Sequence, residues 1–322
     1  MSMMTSNKHN AVTLHESTVR PHWAERLSAL RARITRHSRI LIASDFDGTL
    51  SPLVEHPGDA VLTPEAPAVL ARLAAMHPRV RLAFLSGRSL ADLASRLGPA
   101  VDHAILVGNH GLELRGAHLD WIHRSAFTVR PHLEGLIERL APGLEDFAGV
   151  ELEDKGASLT LHYRRMDTLD FPKLRAIINA LALPDQVRMH EGKKVFEFRP
   201  QVEWNKGFAL RRILRRINLS DDAVVFLGDD ATDEDVFRKL GTTAITVHVG
   251  SATVPSHARL NAHDPADAVL FLDALASFFD NPTFMDSRGT TPTASSGSPP
   301  CWKSPSKAAP TANTTSNPGY QG

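Results

Sequence analysis

Two aspartates separated by a single residue directly follow an apolar segment, RILIAS, at residues 39–44. Residues two apart in an extended chain lie about 6.6 Å apart and point to the same side, so Asp45 and Asp47 can face one small volume. Close packing of carboxylates is unfavourable unless a cation neutralises them. The pair therefore suggests a metal site in which one carboxylate reacts. The alternative is that the Asp-Gly dipeptide at 47–48 only forms a turn.

Small and polar residues also follow three other apolar segments, at 86–88, 108–111 and 228–230. In an open α/β sheet, ligands bind beyond the carboxyl ends of the strands, so we expect these groups to meet the first pair of aspartates. Asp229 or Asp230 would add a third carboxylate. Oxygen ligands without paired His or Cys residues favour a hard cation, most of all Mg²⁺.

A lysine opens the amphipathic helical segment KGFALRRILRRI at residues 206–217. A cation at a helix N-terminus opposes the helix dipole by about 0.3–1 kcal/mol. That cost is tolerated on a solvated surface, and it becomes a gain beside carboxylates and an anionic substrate. Both interpretations of Lys206 are kept at this point.

Structural alternatives also exist for other polar residues. Ser86 could cap the helix that follows it, although Ser89 could do so instead. His110 could be a structural or surface histidine. The acidic segment 232–235 is typical of a helix N-terminus, which accounts for Asp235 and leaves Asp229 unexplained.

Strand-like and helix-like segments alternate through residues 21–112 and again through 200–280. Continuous apolar strands between amphipathic helices predict an α/β fold with a parallel sheet covered on both faces. Between them, residues 113–199 contain alternating segments around helical stretches near 131–141 and 171–182. We interpret this middle part, including ELRGAHLDWI, as an inserted α+β cap domain with an antiparallel sheet.

The composition limits the class of protein. The 322 residues are 42% hydrophobic and have zero formal net charge, which favours neither nucleic acid nor an anionic membrane as a partner. We expect a flexible arm at 1–20 and a disordered tail at 281–322, because neither segment has a regular pattern of apolar residues. The tail holds the single cysteine, Cys301, so no disulfide framework is possible. Without an apolar run of signal-peptide or membrane-spanning length, we expect a cytoplasmic protein.

Four motifs occur in order: DFDGTL, SGR, NKG and GDDATDED. Together they resemble the haloacid dehalogenase-like (HAD) phosphatase superfamily, in the branch with a cap between the second and third motifs. Further strings narrow the resemblance to the trehalose-6-phosphate phosphatases; these are VGNHGLEL, EDKGASLTLHYR, GKKVFEFRPQVEWNKG and GDDATDEDVF. The resemblance covers about residues 38–275 and implies a Rossmann-like core.

The resemblance implies a role for each core residue. Asp45 would be the nucleophile that forms an aspartyl-phosphate, and Asp47 the general acid and base. Ser86 and Lys206 would hold the phosphoryl oxygens. Asp229 would complete the Mg²⁺ shell with the Asp45 carboxylate and the Asp47 carbonyl. Residues expected to support phosphate or metal binding are Thr49, Arg88, Asp230 and Asp233.

Sugar recognition is expected in the cap and at the junction of core and cap. The positions that match sugar-contacting residues of the resembling family, or that flank the junction, are Asn109, His110, Lys155, Arg164, Lys193 and Glu197. The alternative is that Glu197 and Arg199 form an ion pair on the strand and that Lys193 is solvated.

The resemblance implies a Mg²⁺-dependent phosphatase that hydrolyses trehalose 6-phosphate. Alternatives are a phosphatase of another sugar phosphate, of the sucrose or mannosylglycerate type, and a transferase similar to phosphomannose mutases. A catalytically silent sugar-phosphate sensor is disfavoured because every reactive motif position is filled. Association with a trehalose-phosphate synthase is left open as a further expectation.

Overall fold

The computed structural model describes residues 19–98 and 102–280, which belong to one compact unit. The predicted tail (281–322) and residues 1–18 of the predicted arm lie outside the described residues. Among the described helices, none is both long and apolar enough to cross a bilayer.

A large sheet of eight strands forms the centre of the fold. Its strands are β1 (Ile40–Ser44), β2 (Val80–Leu85), β3 (Ile105–Gly108), β4 (Glu113–Arg115), β5 (Trp121–Ile122), β10 (Val224–Gly228), β11 (Ile245–Val249) and β12 (Leu260–Ala262). Their order is β12-β11-β10-β1-β2-β3-β4-β5, and the first six of these positions are parallel. The predicted parallel α/β core is confirmed, with β1 at its centre.

Helices cover both faces of this sheet. They are α1 (Leu27–Thr35), α2 (Ala66–Ala74), α3 (Leu90–Leu97), α6 (Lys206–Ile217), α7 (Glu234–Leu240) and α8 (Pro265–Asp280). Successive strand residues point to opposite faces, so Ile40 and Ile42 pack against α1, α2, α3 and α8, whereas Leu41 and Ala43 pack against α6 and α7. Short 3₁₀ turns lie at Trp23–Arg26, Pro57–Asp59, Asn109–Gly111, Thr168–Asp170 and Asp221–Ala223.

A second, antiparallel sheet lies in the middle of the chain, in the order β6-β7-β9-β8. Its elements are β6 (Glu151–Asp154), β7 (Leu159–His162), β8 (Val187–Gly192) and β9 (Val195–Pro200), with α4 (Arg124–Leu144) and α5 (Phe171–Ala180). One sheet face is apolar: Leu159, Leu161, Phe196 and Phe198 pack with Leu133 and other leucines of the two helices. The predicted α+β character of the insertion is confirmed. We call this sheet with α4 and α5 the cap.

One strand pair differs from the prediction. Residues 113–122 were assigned to the cap, but β4 pairs with β3 and β5 with β4, so both extend the large sheet. Two consecutive left-handed residues, Asn109 and His110, turn the chain back along β3. Alternation in a sequence shows that a strand is half-buried without showing which sheet it joins. The domain limits themselves stay a prediction.

Replacing Phe198 with Ala removes a fully buried side chain between the cap sheet and its helices. We expect a loss of about 3–5 kcal/mol in the free energy of unfolding of the cap. Urea titration of the full chain, followed by circular dichroism, measures it. Leu169→Ala is the control, since Leu169 is 81% exposed and should change little. An unchanged unfolding midpoint for Phe198→Ala would contradict this packing.

Candidate active site

The nucleophile and lysine predicted from the sequence meet at the carboxyl end of β1. The Lys206 Nζ atom donates to Asp45 Oδ1 at 2.7 Å and to Asp233 Oδ1 at 2.9 Å. Asn205 caps α6 by accepting from the Phe208 backbone N–H, which places Lys206 in the first helical turn. Lys206 is only 1% exposed, so the solvated-surface alternative is wrong.

The acidic segment after β10 forms a scaffold of hydrogen bonds. Asp233 Oδ2 accepts from the backbone N–H groups of Asp229 and Asp230, at 3.0 and 3.2 Å. Asp230 Oδ1 accepts from the backbone and hydroxyl of Thr232 and from the Asp233 N–H. Asp230 and Asp233 therefore shape the loop that presents Asp229.

The negative charge of the clustered carboxylates exceeds the positive charge of the Lys206 ammonium group. Oxygens of Asp45, Asp229 and Asp233 lie within 4.8 Å of one another. Burial raises the pKa of Asp45 to about 7 despite the opposing charge of Lys206, and burial followed by the Asp230 charge raises the pKa of Asp229 to about 6. The Oδ1 atom of Asp229 is buried without a hydrogen-bond partner among the described residues. These donors fit a hard divalent cation.

Arg88 holds Asp47 through both carboxylate oxygens. Its Nε donates to Asp47 Oδ2 at 2.7 Å and its Nη2 to Oδ1 at 2.6 Å. A further bond of 2.6 Å to Asp92 fixes the guanidinium. Its hydrogen bonds thus go to the expected general acid, and the role of Arg88 in supporting phosphate or metal stays a prediction.

The position of Ser86 agrees with a role at the site. Its hydroxyl accepts from the Arg88 N–H at 3.1 Å, whereas Ser89 caps α3 by accepting from the Asp92 N–H at 3.3 Å. The alternative that Ser86 caps the helix is therefore wrong.

A cavity of about 810 Å³ lies between the carboxyl ends of the strands and the cap sheet. The predicted residues that line it are Asp45, Asp47, Ser86, Arg88, His110, Lys155, Arg164, Lys193, Glu197, Lys206, Asp229 and Asp230. Three predicted site residues, Thr49, Asn109 and Asp233, are buried behind this lining.

Asn109 joins core to cap. Its Nδ2 donates to the Lys155 carbonyl at 3.2 Å, and its Oδ1 accepts from the Ser158 hydroxyl at 2.9 Å. Both ends of the amide therefore have partners within the protein, and Asn109 is 1% exposed. A contact of Asn109 with the sugar stays a prediction.

His110 lies in a buried polar network. Its Nε2 is 2.7 Å from Arg199 Nη2 and 3.0 Å from Glu197 Oε1, and Arg199 also pairs with Glu197. Burial and the charge of Arg199 lower the pKa of His110 to about 4, so a neutral ring accepts the guanidinium hydrogen bond. The ion pair expected as an alternative for Glu197 is present, and it lines the cavity.

The hairpin formed by β8 and β9 of the cap reaches the clustered carboxylates of the core. Lys193 Nζ donates to Asp229 Oδ2 at 2.8 Å, although 57% of the Lys193 side chain is exposed. Arg164 donates to the Val54 carbonyl of the core and to the Lys193 carbonyl, the latter at 3.1 Å. These contacts bring the turn between β8 and β9 over the carboxylates.

Several cavity residues were missed in the sequence. They are Glu153, Thr160, His162, Arg188, His190, Arg199 and Trp204. All but Trp204 lie on cap strands, and they alternate with the apolar residues of those strands. This alternation of polar and apolar residues is the sequence signal that could have identified them.

Gly48 has a positive φ of 81°, and a Cβ there would lie 2.3 Å from Asp229 Oδ2. We expect Gly48→Ala to displace this carboxylate and weaken Mg²⁺ binding by about tenfold or more. Titration calorimetry measures the dissociation constant. Gly135→Ala is the matched control, because nothing lies within 4 Å of its added Cβ. Equal Mg²⁺ affinity in both variants would contradict the assignment of Asp229.

Comparison with known proteins agrees with this geometry. The trehalose-phosphatase family model matches residues 43–268. A probable trehalose-phosphate phosphatase of Oryza sativa is 28% identical over 277 residues, which cover 78% of this chain and 71% of the relative. A trehalose-phosphate phosphatase of Mycobacterium bovis is 35% identical over 242 residues, covering 72% of this chain and 60% of the relative.

Among solved structures, the C-terminal domain of Candida albicans trehalose-6-phosphate phosphatase is similar in fold. The TM-score is 0.68 at 24% identity, over 80% of this chain and 98% of that domain. The chain spans less than two thirds of the length of the mycobacterial relative. A family match over more than half of the sequence, on a core with this arrangement of residues, shows that the chain belongs to the trehalose-phosphatase family.

Proposed function

We propose that this chain hydrolyses trehalose 6-phosphate to trehalose and phosphate, with Mg²⁺ as its cofactor. The observation that carries the proposal is the buried pair of Asp45 and Lys206, 2.7 Å apart, at the floor of a cavity walled by the cap. Membership of the trehalose-phosphatase family supports the choice of substrate.

Asp45 supplies the nucleophilic oxygen. Lys206 binds its Oδ1, which leaves Oδ2 to attack phosphorus as the bond from phosphorus to the sugar oxygen breaks. Water then attacks the phosphorus of the aspartyl-phosphate and releases phosphate and free Asp45. Lys206 offsets negative charge on the phosphoryl group in both steps, and Ser86 is placed to donate to a phosphoryl oxygen.

Asp47 handles the proton. It gives a proton to the departing sugar oxygen and takes one from the attacking water. Arg88 donates to both carboxylate oxygens of Asp47, so Asp47 must release one of these bonds when it carries the proton. Arg88 is thus a positioning residue for the general acid.

Asp45, Asp229 and the main-chain carbonyl of Asp47 would hold Mg²⁺. When bound, the cation neutralises these carboxylates and the charge of the transferring phosphoryl group. Asp230 and Asp233 support the loop, and Lys193 would give up its bond to Asp229 to the cation.

Recognition of the sugar falls to the polar face of the cap sheet and to His110 at its junction with the core. We assign Lys155, Arg164, Lys193 and Glu197 to this role because all four line the cavity. Cytoplasmic location and association with a trehalose-phosphate synthase stay predictions from the sequence.

Mg²⁺ binding should weaken as the pH is lowered from about 8 to about 5.5. The ligand carboxylates must be ionised to bind the cation, and the pKa values of Asp45 and Asp229 are about 7 and about 6. Calorimetry at pH 6.5 in two buffers of different ionisation enthalpy should show proton release. Mg²⁺ affinity that is independent of pH would contradict the assigned ligands.

EDTA should abolish turnover, and added Mg²⁺ should restore it.

A phosphate-release assay over a panel of sugar phosphates in Mg²⁺ tests the substrate. We expect the highest kcat/KM for trehalose 6-phosphate, above sucrose, mannosylglycerate and glucose phosphates. Asp45→Asn should lower kcat at least about a thousandfold, because no other residue replaces the nucleophile. Asp59→Asn is the matched control, because Asp59 itself is not among the residues that line the cavity. Equal turnover of all substrates would refute the choice of trehalose, and binding without phosphate release would indicate a sensor.

A further inference from the structure

The cap sheet presents a row of polar residues to the cavity. Glu153, Thr160, Glu197 and His190 are directly opposite one another across the four strands. Arg188 lies two residues before His190 on β8 and therefore points to the same side. All five line the cavity.

Partners within the protein satisfy the two carboxylates of this row. On the β6 side, Glu153 bonds His162 at 2.8 Å and lies 3.7 Å from the Lys155 ammonium. In the centre, Glu197 pairs with Arg199, and its Oε1 lies 3.0 Å from His110 Nε2. The Nδ1 atom of His110 and the Nε atom of Arg199, next to Glu197, are buried without a partner among the described residues.

The two β8 residues of the row, unlike its carboxylates, have polar atoms without partners. The Nε atom of Arg188 and the Nε2 atom of His190 are buried and have no hydrogen-bond partner among the described residues. The Thr160 hydroxyl in the same row is also buried and unpartnered. Buried polar groups without partners cost free energy, so a ligand that rearranges and pairs them gains affinity here. Burial and the nearby arginines lower the pKa of His190, and a neutral imidazole can both donate and accept.

Two aromatic residues, Trp204 and Phe208, line the same cavity. Their rings are stacked with centroids 5.6 Å apart, Trp204 also packs against Trp121 and His123, and Trp204 Nε1 donates to the Gly111 carbonyl at 2.7 Å. Fixed aromatic residues and hydrogen-bonding side chains in one cavity suit a sugar ring, which has both C–H faces and hydroxyl groups.

Position along β8 separates this region from the phosphoryl site. Lys193, at the end of the hairpin, contacts Asp229. Along an extended strand, His190 lies about 10 Å and Arg188 about 17 Å from Lys193. The unpartnered groups therefore face the end of the cavity away from the reacting aspartate.

We propose that Arg188 and His190, with Trp204 of the same cavity, form the subsite for the sugar ring that does not carry the phosphate. The inference rests on the proposed function, because only a disaccharide phosphate has this second ring. The subsite discriminates a disaccharide phosphate from a monosaccharide phosphate.

Steady-state kinetics of the full chain in Mg²⁺ test the subsite with two substrates, trehalose 6-phosphate and glucose 6-phosphate. Arg188→Gln and His190→Ala should each lower kcat/KM for trehalose 6-phosphate about three- to tenfold, the effect of one lost hydrogen bond. Turnover of glucose 6-phosphate should stay unchanged, because it lacks the second ring. Arg165→Gln, an exposed cap arginine outside the cavity, is the matched control and should change neither.

Equal losses on both substrates, or no loss on either, would overturn the subsite. A disaccharide-specific loss in Lys155→Ala but not in Arg188→Gln would place the second ring on the β6 side and also overturn it. If wild-type turnover of glucose 6-phosphate is too slow to measure, the dissociation constant of trehalose is measured instead. It should rise in both Arg188→Gln and His190→Ala. Absence of wild-type turnover of trehalose 6-phosphate would refute the proposed function itself.

Discussion

The ammonium group of Lys206 lies inside the protein, and the arrangement of the core follows from the need to keep it charged there. A buried charge costs several kcal/mol unless it is paired and hydrogen-bonded. Asp45 and Asp233 provide that pairing, and they lie in the segments that follow two adjacent strands of the central sheet, β1 and β10. The same carboxylates, with Asp229, exceed the charge of one lysine. An excess of negative charge in a buried place favours the binding of a cation.

The cap provides the other wall of the cavity. Its sheet is apolar on one side and polar on the other, so one set of strands both stabilises the cap and walls the cavity. Direct contacts hold it over the core: the Asn109 amide, the Arg164 guanidinium and the Lys193 ammonium each bridge the two parts. In this arrangement Lys193 takes up an oxygen of Asp229 that a metal would use.

Much of the core could be predicted because its signals are local. An apolar strand followed by small or acidic residues marks a strand end, and parallel strands bring such ends together. The helix from Lys206 was predicted with its observed limits. The roles of Arg88 and Asn109 could not be predicted, since they depend on which groups meet across the fold. The short strand β12 gave no separate signal, and β4 and β5 were placed in the wrong sheet for lack of information on pairing.

The two-sided cap sheet has an evolutionary consequence. Residues that pack the cap and residues that line the cavity occupy alternate positions of the same strands. A change at Thr160, Arg188 or His190 therefore alters the surface of the cavity while the neighbouring apolar positions keep their packing. Selection can explore new ligands at these positions with little risk to folding, whereas the motif residues at the ends of the core strands keep the chemistry constant.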